Sequence, residues 1–530
     1  MYNAIHAKKP TGAIEYARAG YVLFNHFSPG NNLRFHSIEL EGIEPLCRCI
    51  ANHLAFNIYP MLTLLIIGIQ YTIIEYKFLE KPSEVIVMKS YFIFGMCFLF
   101  LVQYFVHSHW LQFMLAIFAM IAFLGSITLA RAVPRFFSII MFVAGLVFTI
   151  LKGQGIDAVT QGITSNLPLL TLLVLVPLLS IPFKMGGFFD SILLYLKRYQ
   201  NSPRKMFMGV TTVLFFLGPI LNIGSIRIVH ELLKDLRLNP TFLSKAYLVG
   251  FSTTILWSPY YAAVGIVLLY LHVSIGSYMT YGFGVAVLFL IIGNVMFGIW
   301  TKKQSVETEN DQSEIITPDH QKRIKMLPFV IFSLMLVTII AESITQWSML
   351  VLVSLLAIIF PVIWGVFSRE WITLKQHLVD YRDKAVPIMN NEIIMYISAG
   401  FFGASLKGTS FGHEINIFMI NLSHISFLLF ALFILITMVA VTFVGIHQVV
   451  VVTVLATQMD PIMLGTTKEI LAMLLMLAWS TSSILSPVNP INLLVSSLVK
   501  KSSIEVGIRD NGLYLLIVCT IGITFLTFFH

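Results

Sequence analysis

Two hydroxyl-rich stretches stand 228 residues apart in this chain: residues 251–259 read F-S-T-T-I-L-W-S-P and residues 479–487 read W-S-T-S-S-I-L-S-P. Ser252, Thr253, Ser258 and Pro259 of the first coincide with Ser480, Thr481, Ser486 and Pro487 of the second. A proline inside an apolar run removes a backbone donor and opens the helix at the preceding turn, which frees carbonyl oxygens. Those carbonyls, the hydroxyls of Thr254, Ser482 and Ser483, and the amides of Asn489 and Asn492 are hard oxygen ligands suited to Na⁺. Half-helix N-termini suit anions instead. A single serine in an apolar helix more often bonds back to the preceding turn or packs against a neighbour. Two such clusters beside matching prolines favour a polar cavity.

Two further apolar segments, 206–233 and 425–456, carry glycine and polar residues near their middles. In the first, Gly218, Pro219, Asn222, Gly224 and Ser225 are expected to form a turn, followed by Arg227. An arginine at that depth is costly, so it should face a cavity or a partner, where its planar fork could hold an oxyanion. Pairing with Glu231, or snorkelling to the surface, is the plainer alternative. In the second segment Gly445, His447 and Gln448 occupy the expected tip, and His447 could couple protons or sit neutral and hydrogen-bonded. Glu392, after Asn390 and Asn391, is the acidic residue placed for ion coupling or for the membrane interface.

The elements that must position these groups are read from composition and charge. Of 530 residues, 57% are hydrophobic and 11% charged, against about 25% charged in soluble domains, so a soluble fold is excluded. Apolar runs long enough to cross a bilayer are expected at about 54–74, 91–106, 111–130, 136–151, 167–183, 246–271, 282–300, 327–341, 347–367, 386–405, 470–499 and 513–529. The net charge of +8 suggests no nucleic-acid partner, because 22 of the 34 Lys and Arg fall in one set of loops: 131–135, 184–205, 234–245, 301–326, 368–384 and 500–511. These loops should be cytoplasmic. The alternating set, 152–166, 272–281, 342–346, 406–424 and 457–468, holds 3 basic residues and should face outward. Segment 206–233 has basic loops on both sides and 425–456 has basic-poor loops on both sides, so each should return to the face it entered. Legs of ~13 residues rise about 20 Å, which enters a ~30 Å core without crossing it. A pair of short tilted crossings is the alternative. The basic residues of the N-terminal tail conflict with the outward position that counting back from Arg131 gives it.

The self-similarity extends upstream, where Phe216 to Gly218 faces Phe443 to Gly445. Each copy then contains five crossings and one hairpin, and an odd number of crossings reverses the second copy in the membrane. The expected architecture is an all-α polytopic membrane protein of two inverted repeats, with an extra N-terminal pair of spans. Its parts are a polar extension 1–53, the added pair within 54–110, a first repeat 111–300, a cytoplasmic linker 301–326 and a second repeat 327–530. Four cysteines, Cys47, Cys49, Cys97 and Cys519, give no metal spacing, and residues 1–53 lack the pattern of a signal peptide.

With paired re-entrant hairpins and paired Ser/Thr/Asn/Pro breaks, residues 111–529 resemble the ion transporter superfamily: divalent anion/sodium symporters, citrate carriers, arsenite permeases and sodium/proton antiporters. The symporters' Ser-Asn-Thr tip motif is replaced here by Leu221-Asn222-Ile223-Gly224-Ser225 and Ile446-His447-Gln448. The resemblance implies a secondary transporter in the inner or plasma membrane, moving a small anionic solute with Na⁺ or H⁺, without a cofactor and as a homodimer. A sodium/proton antiporter without organic substrate is the alternative in transport. An intramembrane enzyme is the alternative in another class, but His230-Glu231-Leu232-Leu233-Lys234 lacks the second histidine of an H-E-x-x-H zinc helix, and His107 and His109 have no third ligand. The loop charges give a direct expectation: a cysteine placed in 272–281 should label from outside intact cells and one in 500–511 from inside. Labelling of both from one side would exclude the inverted repeat.

Overall fold

An apolar solvent leaves backbone groups no partner outside the chain, so spans must satisfy themselves as helices. The computed structural model describes residues 82–236, 238–301 and 318–530, and among these every regular element is helical. The expected span 54–74, the extension 1–53 and much of the linker 301–326 lie outside the described residues.

The first half begins with α1 (Pro82–Val106), α2 (His109–Ile127) and α3 (Ala132–Leu151). A fourth crossing is assembled from α4 (Ile156–Thr164), α5 (Leu167–Leu175) and α6 (Ser180–Met185), and α7 (Phe188–Lys197) follows. A hairpin of α8 (Pro203–Leu221) and α9 (Gly224–Leu233) precedes an interrupted helix, α10 (Pro240–Trp257) and α11 (Ala262–Leu271), and α12 (Ile275–Thr301) ends the half. The second half runs α13 (Pro318–Thr345), α14 (Met349–Ser368), α15 (Trp371–Asp380), α16 (Asn390–Leu406) and α17 (Ser410–Ile425). It closes with the hairpin α18 (Phe427–Phe443) and α19 (Gln448–Gln458), the interrupted helix α20 (Lys468–Leu485) and α21 (Pro490–Val499), and α22 (Gly512–Phe529).

Among the described residues 11 helical segments are long and apolar enough to cross a membrane, so the chain is an all-α polytopic membrane protein. Two hairpin expectations need correction. The legs are unequal: α8 has 19 residues and α9 has 10, while α18 has 17 and α19 has 11. At 1.5 Å per residue α8 spans roughly 28 Å and α18 about 25 Å, against about 15 Å for each short leg, so the short legs fall far below a ~30 Å core and only α8 approaches it. The first turn is also narrower than expected. Gly218 and Pro219 lie inside α8, Gly224 and Ser225 begin α9, and the chain reverses at Asn222, with φ 51°, and Ile223. Pro219 leaves the Phe215 carbonyl without its helical donor, and the single Thr254 hydroxyl proton lies within reach of Leu214 O at 3.2 Å, Gly250 O at 3.3 Å and Phe215 O at 3.5 Å. Gly218 makes room for this, since a Cβ there would stand 2.6 Å from Thr254.

The two interrupted helices coincide element by element. α10 and α20, α11 and α21, and their left-handed C-caps His272 (φ 51°) and Lys500 (φ 55°) all stand 228 residues apart. Packing between halves is reciprocal. α10 lies against α20, α10 against α21 and α11 against α20, while α3 packs on α16 and α14 packs on α5 and α6.

Loops also sort by charge. The basic-poor loops are tied together: Lys152 Nζ donates to Lys407 O at 3.0 Å, Lys468 Nζ to His272 O at 3.1 Å, and Ile275 N to Glu342 Oε2 at 3.0 Å. Partial burial holds the Lys152 ammonium below the usual lysine range. At the other set, Ser191 Oγ meets His320 Nδ1 at 2.9 Å, and Lys501 Nζ donates to Thr241 Oγ1 and Asp510 Oδ2, both at 2.7 Å. Lys245 Nζ adds a bond to the Asp510 carbonyl. Asp510 is 5% exposed, so Asp510→Asn leaves two ammonium groups short of their counter-charge and should destabilise the detergent-purified protein by roughly 2–4 kcal/mol. Lys501→Met should restore part of that loss in thermal unfolding; an unchanged melting temperature for Asp510→Asn would show that the cluster does not hold the two halves.

Candidate functional site

The residue before a proline is pushed out of the α region, and both interruptions follow from that rule. Ser258 has ψ 117° and Ser486 ψ 123°, so α10 ends at Trp257 and α20 at Leu485. Each helix is then re-started after a four-residue turn in which Tyr261 N donates to Ser258 O at 3.1 Å and Asn489 N to Ser486 O at 3.2 Å. Asn489 caps α21 by accepting from Ile491 N at 2.9 Å, with Pro490 in the first helical position where a missing N–H costs nothing. The carbonyls freed at equivalent points are met by side chains: Tyr278 Oη donates to Leu256 O at 2.5 Å and Asn492 Nδ2 to Ile484 O at 2.7 Å. Gly282 and Gly507 let these segments approach, since a Cβ on either would stand within 2.9 Å and 2.6 Å of the same two carbonyls.

The second tip and the second break form one buried polar cluster. Gln448 Nε2, with two protons to give, lies within hydrogen-bond distance of Ser482 Oγ at 2.7 Å, Ser483 Oγ at 2.8 Å and Trp479 O at 3.0 Å, and Gln448 Oε1 accepts from Asn489 Nδ2 at 3.1 Å. Ser486 Oγ donates to Thr442 O at 2.8 Å, tying the break to the hairpin's long leg. His447 caps α19, its Nδ1 accepting from Val449 N at 3.2 Å, so that nitrogen carries no proton. In the first half the tip is open. Asn222 Oδ1 accepts from Ile223 N at 2.8 Å, Ser225 Oγ donates to Asn222 O at 2.8 Å, and Arg227 is exposed. Glu231 pairs with Lys234 at 2.8 Å rather than with Arg227.

Several expected ligands have other work. Ser252, Thr253 and Thr481 bond back to carbonyls of the preceding turn, the plainer of the two roles for such hydroxyls. Ser480 Oγ donates to Ser252 O at 3.0 Å, so the two breaks touch through corresponding residues. Asn492 is spent on backbone carbonyls and on Ser496 Oγ. Ser258 Oγ beside Pro259 is buried without a partner, as is Glu392 Oε2 in the first turn of α16. Pro487 stands half-buried beside exposed Val488. No group of three His, Cys, Asp or Glu is placed to hold a metal among the described residues.

Sequence reasoning missed a cavity of about 960 Å³ on the basic-poor face, lined among others by Tyr270, Lys407, His413, Asn416, Gln458 and Asp460. Its lining stops at the last turns of α11, α16 and α19. Deeper, Gly403 packs on Thr453, and Tyr270 Oη donates at 2.6 Å to Asn166, whose amide donates at 3.0 Å to Tyr396 O. Gln448 begins the same 11-residue helix that ends at the cavity, so the buried cluster lies roughly 15 Å below it, about half a ~30 Å core. A lone Asn166 in an apolar run was the available signal for this closure.

No protein-family model and no curated protein matches the chain. Two solved structures resemble it in shape. The Alcanivorax borkumensis YdaH transporter, described as having an unusual topology, aligns with TM-score 0.49 and 13% identity over 70% of this chain and 87% of its own. Neisseria gonorrhoeae MtrF, described with a class of antimetabolite efflux pumps, aligns with TM-score 0.47 and 15% identity over 71% of this chain and 84% of its own.

The cluster has a clear energetic signature. Gln448→Leu leaves the buried Asn489 amide without its acceptor and takes the donor from the Ser482 and Ser483 hydroxyls, which keep their own bonds to Trp479 O, at about 1–3 kcal/mol for the unpaired amide. Thermal unfolding should show this loss for Gln448→Leu, and an unchanged melting temperature would mean that the network contributes nothing.

Proposed function

We propose that the chain is a secondary active transporter of two inverted repeats, related in architecture to the ion transporter superfamily, which moves a small anionic solute coupled to Na⁺ or H⁺. The observation that carries the reading is the meeting of the two interrupted helices through Ser480 and Ser252, beside the buried Gln448–Asn489 cluster. Two elements related by a twofold axis touch through their own counterparts where they lie near that axis, and the offset of 228 residues is the offset of the repeat. The contrast between basic and basic-poor loop sets and the reciprocal packing of the halves support an axis in the membrane plane. Hydroxyl, amide and carbonyl oxygens of the cluster suit a hard monovalent cation. Arg227 and the N-terminus of α9 offer the positive groups for an anion. Glu392, with one carboxylate oxygen unpartnered, is the proton-coupling candidate of an antiporter reading.

The test is ligand-dependent stabilisation followed by uptake in vesicles. Thermal unfolding of purified protein across Na⁺, pH, dicarboxylates and oxyanions should reveal a stabilising cation and anion, worth about 2.7 kcal/mol at a hundredfold excess over the dissociation constant. Asn489→Ala should lose the cation response, Arg227→Ala the anion response, and Asn222→Ala transport, at near-normal abundance. Arg227→Lys should fail as well if the fork is used bidentately. Wild-type uptake by all three alanine variants would refute the site. A pH-driven exchange abolished by Glu392→Gln, with no solute response, would decide for the antiporter.

A further inference from the structure

We propose that the exposed faces of α9 and α21 wall one water-filled passage, entered from the face of the basic loops, and that Arg227 is the charge that selects anions within it. The proposal rests on the transporter reading and concerns the route to its site.

The two halves differ in what they cover. α19 packs on α16 and α11, with Val451 7% and Leu455 5% exposed, and beneath it Tyr260 is 1% and Ala262 4% exposed. Counted from the tips, the positions matching Val451 and Leu455 on α9 are Arg227 and Glu231, and both are exposed. α9 packs instead on its own long leg and on α7. The positions 228 residues beyond Tyr260 and Gly265 are Val488 and Leu493, which are 45% and 37% exposed, and Pro490 and Ser497 are exposed on the same short helix. What the second hairpin buries in one half, the first leaves open in the other.

Sequence fixes which hairpin does which. α19 reads Q-V-V-V-V-T-V-L-A-T-Q and is apolar around its circumference, as a helix enclosed by others must be. α9 reads G-S-I-R-I-V-H-E-L-L, burying Ile226, Val229 and Leu233 on one stripe and presenting Arg227 and Glu231 on the other. A charged stripe on a re-entrant leg faces protein or water, since lipid offers no solvation. Lys234 offsets Glu231, which leaves Arg227, about 6 Å from the tip, as the fixed cation of that face. On the opposite face the chain is closed beneath the 960 Å³ cavity by the packing of Gly403 on Thr453 and the Tyr270–Asn166–Tyr396 link, so the passage and the closure lie on opposite sides of the cluster.

Single cysteines in a background lacking Cys47, Cys49, Cys97 and Cys519 test this without any substrate. A membrane-impermeant maleimide should react with Arg227→Cys, Glu231→Cys and Leu493→Cys about tenfold or more faster in inside-out vesicles than in intact cells, and should leave Val451→Cys and Leu455→Cys unreactive in the vesicles. An anionic thiosulfonate should modify Leu493→Cys roughly fivefold faster than a cationic one, and Arg227→Ala should erase that preference. Labelling on α9 without labelling of Leu493→Cys would place α21 against lipid or a second copy and overturn the shared passage. Reaction from the outer side, or at neither helix, would overturn it too, and equal rates for the two thiosulfonates would remove the selecting role. Glu231→Cys decides the case if Arg227→Cys does not accumulate. A correct labelling pattern in a protein that transports nothing would refute the transporter reading alone.

Discussion

The architecture depends on one requirement: every backbone group released by an interrupted helix has to find a partner inside the protein, because the bilayer supplies none. Pro259 and Pro487 create that debt at matching points, and the answers determine what else must be nearby. Leu256 O requires Tyr278 from α12, so α12 has to cross against the end of α10, which Gly282 permits. Ile484 O requires Asn492 from the first turn of α21, and Gly507 brings the 500–511 segment onto the same carbonyl. Ser486 reaches the Thr442 carbonyl and so fixes the hairpin against the break. An unsatisfied buried carbonyl costs about 1–3 kcal/mol, so these contacts are conditions for the breaks to exist.

Much of this was legible in the sequence for a physical reason. Spans, loop charge and proline act locally, so helix positions, the two loop sets and the ends of α10 and α20 could be read without tertiary information. The offset of 228 residues was visible because the same local solution recurs in both halves. What failed depends on partners distant in the chain. Gly218 and Pro219 look like turn residues until Thr254 is placed opposite them, where a Cβ at position 218 would stand 2.6 Å away and the hydroxyl reaches the carbonyls of the same turn. The roles of Ser252, Thr253 and Thr481 could not be told from ligands by type, because a hydroxyl that bonds back and one that binds an ion are the same residue in the same helix. The cavity on the basic-poor face collects residues from three stretches of chain with no motif in common.

The likeness of the halves stops at their hairpins, and function needs it to stop there. Two identical closures, or two identical openings, would give a sealed protein or a pore. Here the apolar short leg is enclosed and the amphipathic one is open, so access to the midplane is unequal on the two faces. The asymmetry is written in side-chain chemistry, in Val451 and Leu455 against Arg227 and Glu231, on backbones of nearly equal length.

The buried cluster adds a coupling between occupancy and shape. Gln448 Oε1 and the Ser482 and Ser483 hydroxyl oxygens already accept hydrogen bonds, the two serines from the Gln448 amide itself. Each of these oxygens keeps a second lone pair, so on the proposed reading a cation either shares them with the Gln448 and Asn489 amide protons or displaces those protons from their present partners. Those same bonds hold the tip of the second hairpin to α20 and the break. Where displacement occurs, ion binding and tip seating compete for one set of atoms, and the ligand loosens the hairpin beneath the basic-poor face. Differential affinity for two states is what a coupled carrier requires, since a ligand bound equally well by both shifts nothing.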